Sequence, residues 1–405
     1  MGETQDIRQV LHDWNKEMDI SRIKILIGKT IGVIMRLLGL QNVIMIEAER
    51  EIRENTHAVF KEMLRRGWDK KYRFVLFSER PETLAHWKSK RICVRQRTRY
   101  DSDLKTRLRL TTKKLRAAMI VDENLQTGKY DPKTIHVYLS HGSPAKSLHD
   151  NYNCVKDTDY VLCQSDFWKP IDKYEFNVPE ERLVIKGFPR NDALFSSRVS
   201  MAELFGRDYK KVVVWYPTFR QRRNRWNEKS IAIPVIQDAD TAKRINEIAA
   251  KYGVLIVVKP HFAQDLAYVQ ELELDHLKFI DDNYYREHGI SAYEFLGQTD
   301  ALITDYSSVI FDYLLTGKPI GLTWEDFEEY KEKVGFAIDM EMLRPCAEML
   351  DTPEDFERFF RDLTEGNDPH REKREELMRL TNQYIDGNST TRVVDWLESL
   401  LEKRA

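Results

Sequence analysis

Residues 301–320, ALITDYSSVIFDYLLTGKPI, leave the chain few architectures to adopt. Residues 301–304 are an apolar run of the length that sits inside a parallel sheet. Asp305, Ser307 and Ser308 follow at once, where a helix would begin. Val309, Ile310, Tyr313 and Leu314 then recur at helical spacing until Gly317 closes the segment and Pro319 prevents its continuation. The stretch therefore reads as strand, polar turn, helix and the start of another strand. The turn has two readings. Ser and Asp cap helices routinely. Hydroxyls beside free backbone amides and the positive end of a helix dipole also make a seat for phosphate.

The rest of the chain alternates in the same way. Strands are predicted at 43–46, 73–77, 117–121, 135–139, 160–163 and 183–185, with helices at 54–66 and 81–88. Gly187 to Asp192 form a turn-rich break that ends this first set. A second set follows, with strands at 211–216, 254–258 and about 279–280, and helices at 241–252 and 292–296. Alternation of this kind predicts an α/β chain with parallel sheets, and 405 residues suffice for about two domains.

Charge excludes some functions. The 64 basic and 66 acidic residues balance, so there is no global excess of the nucleic-acid-binding kind. Cys93, Cys154, Cys163 and Cys346 form no Cys-x-x-Cys pair, which argues against a zinc site or a disulfide scaffold and for a reducing cytoplasm. The first twenty residues lack the pattern of a signal peptide. Residues 20–40 are apolar but broken by Arg22, Lys24, Lys29 and Arg36, so they are not expected to span a bilayer. Arg22, Lys29 and Arg36 instead make a basic stripe opposite Ile23, Ile27, Ile31, Ile34 and Leu38. That pattern suits a helix lying on an anionic membrane, or one docked over the next domain's core, as Lys24 on the apolar side would favour. The basic run 88–116 is either a solvated face or an electrostatic dock for an anionic polymer or membrane.

Polar residues gather where strands end. The fourth predicted strand, 135–139, delivers His141 on the turn Ser140–Lys146. An imidazole titrates near neutrality and can take a proton from a hydroxyl there, or it can bond a local carbonyl. In the second set, Thr218 with Arg220, Lys259 with His261, Asp281 with Asp282, and Asp305 with the serines all fall at one edge of one predicted sheet. That convergence favours the phosphate reading of the serine turn. The adjacent pair Asp281 and Asp282 would point apart in an extended segment, which suits a structural or ribose-facing role better than a metal site.

Six segments in register carry a resemblance: HGSPAK (141–146), GFPRND (187–192), YPTFR (216–220), KPH (259–261), TDYSSVIFDY (304–313) and DGNSTTRVV (386–394). Together they resemble the CDP-glycerol glycerophosphotransferases of teichoic acid and capsule polymer synthesis. The resemblance implies a GT-B architecture, with two Rossmann-like domains facing a cleft and helices ahead of them. It divides the chain into N-terminal amphipathic helices (1–41), an acceptor domain (42–192), a CDP-donor domain (193–367) and C-terminal crossing helices (368–405). It implies transfer of glycerol phosphate, or another polyol phosphate, from a CDP-linked donor to a hydroxyl of a lipid-linked or polymer acceptor, at the inner face of the cell membrane.

By the same resemblance His141 is the general base and His261 a stabiliser of charge. Thr218, Arg220, Lys259, Thr304, Asp305, Ser307, Ser308 and Asp312 serve the donor. Gly142, Ser143, Lys146, Arg190, Asn191 and Asp192 serve the acceptor or the domain interface. No metal ligand is assigned, and a divalent ion on the donor is left open. The chain departs from the family pattern at Ser140, where tryptophan is expected, at Ser143 for threonine, and at Val334 for arginine. Two other functions suit the same residues: a nucleotide-sugar glycosyltransferase or 2-epimerase of GT-B fold, and an inactive module that binds anionic polymer.

Overall fold

The computed structural model describes residues 42–47, 54–78, 81–96, 117–123, 132–147, 158–196, 198–218, 233–260 and 272–404. The expected N-terminal helices, most of the basic run, Arg220 and His261 lie outside the described residues.

Two parallel sheets dominate. The first holds β1 (Val43–Glu47), β2 (Arg73–Ser78), β3 (Ile92–Gln96), β4 (Met119–Asp122), β5 (Ile135–Tyr138), β6 (Tyr160–Cys163) and β7 (Leu183–Ile185), in the order β3-β2-β1-β4-β5-β6-β7. The second holds β8 (Lys211–Tyr216), β9 (Val254–Val258), β10 (Leu277–Phe279), β11 (Ala301–Thr304), β12 (Ile320–Leu322) and β13 (Glu348–Met349), in the order β10-β9-β8-β11-β12-β13. Each order reverses direction once, between β1 and β4 and between β8 and β11. Such a reversal opens a crevice at the carboxyl ends of the strands, where α/β sheets bind ligands.

Helices on both faces explain the unbroken apolar runs. β9 is buried at every position. One of its covers is α2 (Ala239–Tyr252), whose Ala242, Ile245 and Ala249 join Phe356, Phe359 and Phe360 of α5 (Pro353–Glu365) over Val213 and Ile256. On the first sheet, α1 (Glu54–Arg65) buries Val59, Phe60 and Met63 against Ile44, Phe74 and Leu76. Two more helices matter below: α3 (Ala292–Gln298) and α4 (Val309–Tyr313).

The chain returns to the first sheet at its far end. After α6 (Arg371–Thr381) comes α7 (Ser389–Arg404), whose Val393, Val394, Leu397 and Leu401 are buried in the same cluster as Ile44, Val121 and Val137. Burial of each such side chain is worth about 1.5–3 kcal/mol, so α7 adds several kcal/mol to that core. The GFPRND segment explains how α7 is held. Asp192 accepts hydrogen bonds from the backbone N–H groups of Ser389 (2.8 Å) and Thr390 (2.7 Å), capping a helix 197 positions away. Gly187 has a φ of 76°, and a Cβ there would lie 2.3 Å from Ser389 Oγ, so the contact requires glycine.

Several expectations need adjustment. The predicted strand at 279–280 runs Leu277–Phe279, and the predicted helix at 81–88 is a 3₁₀ segment, Pro81–Trp87. β3 had no predicted counterpart. It lies at a sheet edge, where strands carry charge and short apolar runs, so Ile92 and Val94 are buried while Arg95 is exposed. The segment at Gly187–Asp192 is more than a break, because Pro189–Phe195 winds into 3₁₀ turns that bury Arg190 and Asn191.

Candidate active site

The crevice of the second sheet lies between β8 and β11, and two side chains fasten it. Asp305 is fully buried and accepts the Thr218 backbone N–H on both oxygens, at 3.0 and 2.9 Å. Thr304 Oγ1 donates to the Tyr216 carbonyl at 2.8 Å. Both residues were expected at the donor, and the structure places their side chains between strand ends. Ser307 and Ser308, by contrast, are only half-buried. Ser308 stands at the N-cap position of α4 yet makes no side-chain capping bond, and Ser307 Oγ meets the Val309 N–H only at 3.5 Å, the outer limit of such a bond. Capping therefore does not account for the two hydroxyls. Lys259 pairs with Asp282 at 3.0 Å, and Asp281 caps the short helix Asp282–Glu287 through the N–H groups of Asn283 and Tyr284.

The first sheet supplies the other wall. Ser140 leaves β5 with a φ of 62°, unusual outside glycine, and its hydroxyl is bonded to both Gly142 N (3.2 Å) and Gly142 O (3.0 Å). Asn55 Nδ2 donates to the Ser140 carbonyl at 2.9 Å. This tight turn carries His141 to an exposed position. Further along, the loop pairs with the second half of the chain. Lys146 and Phe336 form an antiparallel bridge, with Ala337 N donating to Ala145 O at 3.0 Å and Ser147 N to Gly335 O at 3.3 Å. Ser143, expected at the acceptor or interface, is buried and donates to Gln164 Oε1 at 2.6 Å.

A buried polar network joins the two walls. Arg190 pairs with Asp312 at 2.7 Å, with side chains 3% and 2% exposed, and with Glu54 at 2.5 Å. Arg190 Nη1 also donates to the His141 carbonyl. Burial alone would lower the Arg190 pKa, but Asp312 and the other acidic neighbours hold it well above its usual value. Asp312 further accepts from Tyr293 OH (2.6 Å), Asn191 Nδ2 (3.0 Å) and Gln164 Nε2 (3.3 Å). Asp312 was expected at the donor; its carboxylate lies inside this network. Losing one member of such a buried pair typically costs about 3–5 kcal/mol. The two walls meet closely: a Cβ built on Gly142 would lie 3.4 Å from Ser308 Oγ and 2.5 Å from Arg190 Nη2.

Sequence reasoning missed Glu54, Asn55, Glu123, Gln164, Tyr293 and Asn382, the last accepting from Gln164 Nε2 and donating through Nδ2 to the Phe311 carbonyl at 3.0 Å. Glu123 stands one residue beyond β4, at the crevice of the first sheet, and is buried with Thr56 N and Oγ1 both donating to it at 2.9 Å. Burial first, and the charge of Glu54 second, raise its pKa from an ordinary 4.5 to about 8. The folded protein therefore keeps a proton that the unfolded chain releases above about pH 4.5. This stabilisation is complete below pH 4.5 and is lost as pH rises toward 8, at up to about 1.4 kcal/mol for each pH unit. Urea unfolding of the parent should show stability falling between pH 5 and pH 8, and Glu123→Gln should flatten that slope. An equal slope in the variant would assign the dependence to other groups, such as Asp172, which burial raises to about 7.

Two Rossmann-ordered halves whose strand ends meet at a buried polar interface, strapped by a returning helix, define the GT-B class. A sequence profile described as CDP-Glycerol:Poly(glycerophosphate) glycerophosphotransferase matches residues 32–399, and the chain belongs to that family. The structure of the wall teichoic acid polymerase TagF superposes with a TM-score of 0.72 at 16% identity, covering 99% of this chain and 100% of that one. The teichoic acid glycerol-phosphate primase of Bacillus subtilis (strain 168) is 22% identical over 245 residues, 60% of this chain and 58% of that protein. The teichoic acid ribitol-phosphate primase of Bacillus spizizenii is 24% identical over 265 residues, 64% of this chain and 62% of that protein. The matches thus span about three fifths of these relatives' length.

Proposed function

We propose that this protein transfers a polyol phosphate, glycerol phosphate or a relative of it, from a CDP-linked donor to a hydroxyl of a lipid-linked or polymer acceptor. Family membership supports the donor class. The observation that carries the reading is the closeness of the His141 turn to Ser308, whose Oγ lies 3.4 Å from where a Cβ on Gly142 would stand, so that the turn bearing the candidate base and the hydroxyls that could bind phosphate face one another. The acceptor oxygen attacks the donor's distal phosphorus, the bond from that phosphorus to the bridging oxygen breaks, and CMP leaves with the electron pair. The acceptor proton goes to the His141 imidazole, because an alcohol is far too weak an acid to ionise unaided at neutral pH. Ser307 and Ser308, with Arg220 and His261 assigned from sequence, stabilise charge on the diphosphate, a positioning and electrostatic task.

The test is CMP release from CDP-glycerol and CDP-ribitol with a lipid or polymer acceptor. Release that depends on the acceptor is expected. No release, with a thermal shift by uridine nucleotides exceeding that by cytidine nucleotides, would favour a nucleotide-sugar enzyme. No release and no nucleotide preference would favour an inactive polymer-binding module.

We place the enzyme at the inner membrane surface through residues 1–41. No described helix is long and apolar enough to cross a membrane. Support comes from the sequence stripe Arg22, Lys29 and Arg36, since each basic side chain near an anionic leaflet is worth about 1 kcal/mol. Deleting residues 1–41 should abolish sedimentation with anionic liposomes and leave transfer to a short soluble acceptor intact, and parental binding should weaken as salt rises. Loss of soluble-acceptor transfer would make the segment a cover for the core.

A further inference from the structure

We propose that Arg190 is a positioning residue that sets His141 in register with the donor serines. The inference rests on His141 as the base, as read above. Reaction between groups carried on two separate sheets is sensitive to misplacement of about 1 Å, so something must fix one wall against the other. Arg190 bonds both. Its Nη1 donates to the carbonyl of His141 itself and to Glu54, and its Nη2 donates to Asp312 at 2.7 Å, four residues beyond Ser308. Both ends of this tether are immobilised. The Arg190 backbone N–H donates to Asn55 Oδ1 at 3.0 Å, the side chain whose amide also holds the Ser140 carbonyl at 2.9 Å. On the other side, Tyr293, Asn191 and Gln164 fix Asp312, and the guanidinium lies 4.9 Å from the Tyr293 ring centroid.

Burial separates this role from phosphate binding. The Arg190 side chain is 3% exposed, and its terminal nitrogens are engaged with protein oxygens. Reaching a donor phosphate would mean giving up those partners. Residue type separates it from general charge. A planar fork can hold Asp312 on one arm and the His141 carbonyl on the other, whereas a lysine ammonium offers a single point. The turn has closed onto the fork, since a Cβ at Gly142 would fall 2.5 Å from Nη2.

The test uses the full chain and two independent readouts. Hydrogen exchange of the backbone amides of residues 140–147 should speed up by about tenfold or more in Arg190→Lys, with β5 and β11 amides unchanged. Turnover should fall by about thirtyfold or more while the CDP-glycerol Kd moves by less than about threefold, and adding Arg190→Lys to His141→Ala should cost little beyond His141→Ala alone. If Arg190→Lys does not fold, Asp312→Asn is read in the same way. Unchanged loop exchange overturns the tether whatever the kinetics. Donor affinity falling in step with turnover, or additive losses in the double variant, overturns it in favour of donor binding or an independent role. Should His141→Ala alone retain turnover, the base assignment fails, and the exchange readout still decides the tether.

Discussion

His141→Ala is expected to lower turnover about a hundredfold or more at saturating donor, the usual scale for removing a general base, while CDP-glycerol binding largely survives. The turn is held by the Ser140 hydroxyl on Gly142, by Asn55 on the Ser140 carbonyl and by Arg190 on the His141 carbonyl, and none of these bonds uses the imidazole. The acidic limb of the pH–rate profile should also disappear, because it reports the base's protonation. A variant that lost donor affinity and kept its turnover at saturation would reverse the roles assigned to the two walls.

Replacing Ser307 and Ser308 together with alanine should weaken CDP-glycerol binding by roughly tenfold for each hydroxyl, the scale of a hydrogen bond to a charged group, and leave cytidine binding near its parental value. Folding should be retained, since Ser308 caps nothing and Ser307 reaches Val309 only at 3.5 Å. The following helix α4 is five residues long, so the hydroxyls and local amides must contribute more than a helix dipole. Isothermal titration with both ligands separates the readings. Equal losses for CDP-glycerol and cytidine would mean that the hydroxyls do not act on the diphosphate.

Strand cores were legible because burial on both faces leaves an unbroken apolar run, as in Val254–Val258 and Ala301–Thr304. The strand-end positions of His141 and the serines followed from that frame. What the sequence hid was which polar side chains serve the fold. Thr304, Asp305 and Asp312 stand in the same motif as Ser307 and Ser308, and only their burial and partners distinguish two strand ties and a network carboxylate from half-buried hydroxyls. Gln164, Tyr293 and Asn382 carry no motif at all. Their hydrogen bonds join residues 148, 19 and 71 positions apart, which no local pattern records. Glu54 and Glu123 were hidden for a different reason, since an acidic residue at a helix start or strand end reads as a solvated charge until its neighbours are known.

The cap that Asp192 places on α7 has a consequence for how the protein comes off the ribosome. The cluster around Ile44, Val121 and Val137 is completed by side chains of α7, whose first turn lies 197 positions after Asp192. At ordinary translation rates of about 5–20 residues per second, that interval is roughly 10 to 40 s. Throughout it the earlier half of the nascent chain holds an apolar face and an unemployed carboxylate with no helix to receive them. The order of synthesis and the order of completion are therefore opposed: the half that emerges first is finished last. Chaperone demand during translation should concentrate on that uncovered sheet, and a ribosome-stalled chain ending before Ser389 should be open to proteolysis where the released protein is closed.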